Sequence, residues 1–167
     1  EIRLSLVGSE MCIRDRTTSL EGLTITKDYL VVTVLDDVKH RLDVHYQSGD
    51  GSWEHEDLYP ELTGSLSVAA VDSDESNDVW ITRNDFHVPV TLCLASLDGI
   101  REGQGAGEIE TIKTTPERFD ASGITVTQHF VDSADGTHIP YFEIAKSQET
   151  VGPRPTCLLY TSDAADE

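Results

Sequence analysis

Short β-branched and aromatic runs alternate with turn clusters at roughly 8–12-residue spacing, and no long stretch repeats with helical period. This pattern confines the chain to an all-strand sandwich, barrel or propeller. Tyr29 to Leu35 (YLVVTVL) suits a buried strand, and Asp36-Asp37 turns the chain. Lys39 to Tyr46 then alternates: His40, Leu42, Val44 and Tyr46 share one face, and Arg41, Asp43 and His45 the other. Gln47 to Gly51 is a turn cluster, and Ser52 to Leu58 reads as a polar edge strand.

Leu66 to Val71, Val79 to Arg83, Thr91 to Ala95 and Ile109 to Thr114 follow as strands. They are split by the polar turn Asp72–Asp78, by Asp85–Pro89, and by a Gly-rich loop from Leu97 to Glu108. Thr125 to Val131 and His138 to Ala145 flank Asp132–Gly136, a hairpin with Asp135-Gly136 supplying positive φ. The groups Tyr29–Leu58 and Leu66–Thr114 fit four-stranded propeller blades.

Charge narrows the partners. The 167 residues hold 12 Lys+Arg against 31 Asp+Glu, a net charge of −19. Nucleic-acid binding needs clustered cations, so no nucleic-acid partner is expected. No apolar run approaches the ~18–20 residues of a membrane-spanning helix, and no membrane partner is expected. The three cysteines, Cys12, Cys93 and Cys157, form no CxxC pair.

The two ends read differently from the middle. Leu6–Arg16 (LVGSEMCIRDR) and Cys157–Glu167 (CLLYTSDAADE) match in-frame translations of the transposase adapters used in shotgun DNA libraries. Residues 1–16 and 157–167 are therefore expected to be adapter-derived. Setting them aside removes three basic and six acidic residues and leaves a net charge of −16. The remaining stretch, Thr17 to Thr156, has no methionine and is expected to be an interior fragment. Localisation is then unknown, with cytoplasm and periplasm both open.

Local motifs point to scaffold. Asp72–Asp78 starts like a calcium loop but has Asn77 where Gly is needed and Arg83 where the bidentate Glu is needed. Gly103-Gln104-Gly105-Ala106-Gly107 has the wrong spacing for a phosphate loop, and Glu108 repels phosphate, so a flexible blade-to-blade loop is expected. The histidines (His40, His45, His55, His87, His129, His138) form no H-x-H or H-E-x-x-H pair, so no metal site is expected. Cys93 reads as a buried small apolar side chain. No G-x-S-x-G elbow marks a nucleophile.

From Glu108 to Thr156 the sequence resembles the prolyl oligopeptidase family of serine peptidases. The matching elements are Phe119-Asp120-Ala121, Val126-Thr127-Gln128-His129-Phe130 and Ser133 to Phe142 (SADGTHIPYF). Val34–Val38 and Ser67–Asp72 are similar to the family's late blades. The resemblance implies a mainly β fragment: the last blades of a β-propeller (17–118), then a linker and the first β-hairpin of an α/β-hydrolase domain (119–156). On the second strand Ile139, Tyr141 and Glu143 share one face, and Pro140, Phe142 and Ile144 the other.

The resemblance also implies a function for the parent protein: hydrolysis of short proline-containing peptides after proline, with the propeller restricting access. The catalytic Ser, Asp and His lie downstream in the family, so no catalytic residue is carried over, no cofactor is implied, and the fragment alone is expected to be inactive. Tyr141-Phe142 favours the proline-specific branch over oligopeptidases selective for basic residues. A non-catalytic β-propeller binding module is the alternative reading.

Overall fold

A computed structural model describes residues 18–146 and 155–159. The adapter-like segments 1–16 and 160–167 lie outside the described residues. Cys157, Leu158 and Leu159 are described and exposed.

Among the described residues every regular element is a strand. β1 (Thr18–Ile25), β2 (Leu30–Asp36), β3 (Lys39–Gln47) and β4 (Trp53–Asp57) form one antiparallel meander in sequence order. β5 (Ser65–Ala70), β6 (Asp78–Asp85), β7 (Val88–Ser96) and β8 (Glu110–Thr114) form a second. Each has the form of a propeller blade. β9 (Ile124–Asp132) and β10 (His138–Lys146) form a separate two-stranded hairpin.

The alternation read in β3 decides how the blades stack. Leu42, Val44 and Tyr46 are buried together with Tyr29 and Val31 of the first blade. They meet Leu66, Val79, Ile81, Cys93 and Ala95 of the second in one continuous core. Cys93 thus serves as the buried apolar side chain expected of it. Burying side chains such as Leu42 and Ile81 contributes about 1.5–3 kcal/mol each. The first blade's opposite face stays open, with Leu20, Leu23 and Ile25 exposed.

Several local expectations need correction. β1 precedes the strands that the sequence pattern marks: Glu21 and Gly22 interrupt its apolar pattern, and a bulge lies between Leu20 and Gly22. The first hairpin turns on Asp37-Val38 rather than Asp36-Asp37: both have positive φ, 43° and 71°. The Asp85–Pro89 break shrinks to Phe86-His87, since Val88 and Pro89 already belong to β7. The Gly-rich loop joins β7 to β8 inside the second blade, not one blade to another. It is also tied down, by the Gly107 amide to the Ser96 carbonyl (2.8 Å) and by the Tyr59 hydroxyl to the Gly107 carbonyl (2.7 Å). In the last hairpin only Gly136 takes positive φ (84°).

Candidate functional site

The two blades are pinned at one end by a buried amide. Asn77, in the β5–β6 turn, accepts from the Thr26 hydroxyl (3.2 Å) and the Asp28 amide (2.9 Å) through Oδ1. Its Nδ2 donates to Asp28 (3.0 Å) and Asp98 (2.8 Å). Arg101 adds an ion pair to Asp28 and lies over the Tyr29 ring. Three of these four bonds join the blades, and the fourth, to Asp98, ties the turn to the β7–β8 loop of its own blade. The Asp72 carboxylate likewise caps its own turn, accepting from the Asp74 and Glu75 amides (2.9 Å each). Among the described residues no group of three or more His, Cys, Asp or Glu is arranged to hold a metal ion.

The histidines are dispersed. His40 Nδ1 accepts from the Leu66 amide (2.7 Å), which fixes its proton on Nε2. His45 and His55 stack across β3 and β4, 5.3 Å apart. His129 contacts Glu143 (3.1 Å) and stacks on Tyr141, and His138 contacts Asp132. Beside the stacked pair, Asp43 faces Asp57 across the same two strands and binds Arg41 (3.0 Å). Its residue is buried, and burial pushes its carboxyl above the ordinary range, against Arg41 and with help from Asp57. Burial also pushes the Tyr59 hydroxyl up to about 12, which keeps it a neutral donor to Gly107.

At the other end of the blades lies the most built feature of the molecule, a seam between the blade turns and the hairpin. The register places Val126, Gln128 and Phe130 of β9 on the same face as Pro140, Phe142 and Ile144 of β10. This is the face grouping predicted for β10. Gln128 Nε2 donates to the Asp37 carbonyl (2.9 Å) in the strained turn of the first blade. The Phe142 ring meets Phe86 of the second blade's turn at 5.2 Å, and Lys39 Nζ lies 5.8 Å from its centroid. Such an aromatic pair is worth about 0.5–1.5 kcal/mol and an exposed cation–π contact about 0.5–1 kcal/mol.

A cleft of ≈ 410 Å³ opens on each side of this seam, and Gln128 borders both. One has Phe86, His87 and Phe142 in its walls; the other has Arg41, Tyr59 and Phe130. His87 Nδ1 is buried there with no hydrogen-bond partner among the described residues. Gly64 forms part of the first cleft's wall at φ 88°, where a Cβ would sit 2.3 Å from the Asn84 carbonyl oxygen. The seam escaped the sequence analysis because its walls come from three remote segments.

No protein-family model matches the chain. An uncharacterized peptidase of Sinorhizobium fredii is 33% identical over 141 residues, which are 84% of this chain and 18% of that protein. Prolyl oligopeptidase B from Galerina marginata, solved with a hydrolysis and macrocyclization substrate, matches with a TM-score of 0.59 at 22% identity, over 79% of this chain and 18% of that one. A post-proline cleaving enzyme from Rickettsia typhi matches at 0.55 and 19%, over 81% and 18%. Oligopeptidase B from Trypanosoma brucei matches at 0.61 and 11%, over 82% and 19%. The chain thus spans 18% of the length of the curated peptidase that it matches. In fold the chain is a mainly β segment of the prolyl oligopeptidase type, and in sequence it is similar to a peptidase.

Proposed function

We propose that the chain is part of a serine-type prolyl oligopeptidase, with residues 17–118 supplying propeller blades and 119–156 leading into the α/β-hydrolase domain. The parent protein hydrolyses short peptides on the C-terminal side of proline. The observation that carries this reading is the order of parts: two stacked blades, then a hairpin seated across the ends of both. A plain propeller has no need of such an exit.

In this reading the propeller part restricts entry to small peptides. The chemistry is acyl transfer: a Ser nucleophile attacks the carbonyl, a His takes its proton and returns it to the leaving amine, an Asp orients the His, and an oxyanion hole holds the developing charge. None of these groups is assigned to this chain, so it is inactive alone.

The test is an assay of the purified full-length product on a peptide with proline before a chromophore. Cleavage after proline, with no signal from residues 17–156 alone, supports the reading. Absence of proline cleavage by the full-length product overturns it. Selectivity for basic residues instead of proline would show as cleavage of an arginine–chromophore peptide in the same assay.

A further inference from the structure

A two-stranded hairpin is marginal in water on its own, and a third strand or a packed face is needed to hold it. Among the described residues β9 and β10 pair only with each other. Phe130, Val131, Ile139, Tyr141 and Ile144 are all exposed. The hairpin therefore needs an anchor, and the seam supplies one. Gln128 bonds to the Asp37 carbonyl of the first blade, while Phe142 packs against Phe86 of the second and lies under Lys39 of the first. The receiving turn carries its own mark: Val38, a β-branched residue, is held at φ 71° although its side chain is exposed. Strain of that kind persists only where surrounding contacts over-determine the backbone.

We propose that Gln128 and Phe142 form a latch that holds the hairpin folded only while both blade turns, Asp37-Val38 and Phe86-His87, are correctly placed beside each other. The hairpin then reads the alignment of the two blades and passes it to whatever chain follows β10. The open clefts on either side leave the latch as a narrow pivot rather than a broad interface. The latch does not depend on the peptidase reading, and its failure leaves that reading untouched.

The test is amide hydrogen exchange on the chain, comparing segment 124–146 with segments 18–57 and 65–114. Both tryptophans, Trp53 and Trp80, lie in the blades, so their fluorescence reports blade integrity separately. Phe142→Ala is expected to speed hairpin exchange about tenfold while blade exchange and fluorescence hold, as local unfolding does. Phe86→Ala, 56 positions away, is expected to do the same, and the double variant to do no more than either single one. Gln128→Ala, which leaves both cores intact, gives the same selective loosening by a smaller factor and reads the latch even where Phe142→Ala fails to fold. Unchanged hairpin exchange in Gln128→Ala and Phe142→Ala overturns the proposal. So do multiplying effects of the two phenylalanines, or equal loosening of blades and hairpin.

Discussion

The blades and the hairpin follow opposite economies. In the blades, Val31, Val44, Val79, Ile81 and Leu97 are fully buried, and one core runs across both sheets. In the hairpin Phe130, Val131, Ile139, Tyr141 and Ile144 stay in solvent, and order comes from turn chemistry plus a few contacts at one seam. The same alternating strand pattern thus yields a core in one place and an unfinished surface in the other. What differs is whether a second sheet is available to cover the apolar face.

Ile81→Ala gives the largest expected effect, a loss of about 2–5 kcal/mol for emptying a core site. Because the core is shared, both blades should lose stability in one calorimetric transition. Tyr141→Ala, on the exposed hairpin face, should change stability by less than about 0.5 kcal/mol. Two separate blade transitions would break the comparison. Asn77→Ala comes next. It removes the acceptor of the buried Thr26 hydroxyl and of the Asp28 amide and should cost about 1–3 kcal/mol in chemical denaturation. A neutral result would mean that the blades are aligned without the amide clamp.

Val38→Gly relieves a β-branched side chain from positive φ and should stabilise the first blade by about 1 kcal/mol, net of glycine's entropy. Destabilisation instead would place a structural contact at that exposed side chain. The smallest effects are those of pH, and they run in opposite directions. Asp135 is held down to about 2 by the Ser133 hydroxyl and the Thr137 amide, so its support of the hairpin turn is complete above the ordinary carboxylate pKa and fades as pH falls toward 2. Asp43 is raised by burial, so its contribution is present at low pH and is lost as pH rises through its raised pKa. Acidification should therefore loosen the hairpin relative to the first blade. Asp135→Asn should remove the hairpin's share of that change in pH-dependent exchange.

Much of this architecture was legible residue by residue. The alternation of β3 marks the buried Leu42, Val44 and Tyr46, the alternation of β10 marks its two faces, and the Asp-Gly turn marks the place of the hairpin. β1 was hidden because its bulge and Gly22 break the two-residue period. Asn77 and Asp43 read as surface polar residues, since only a neighbouring sheet or strand buries them. The seam was least legible: Gln128 and Asp37 are 91 positions apart, and nothing local to either marks a partner. The resemblance located the hairpin, but the contacts that hold it are tertiary.

Sequencing the source DNA across codon 156 tests the central claim most directly. The account predicts that the native frame continues from β10 into a hydrolase domain carrying a G-x-S-x-G elbow. A further blade in its place, or a frame that closes without the elbow, would contradict it.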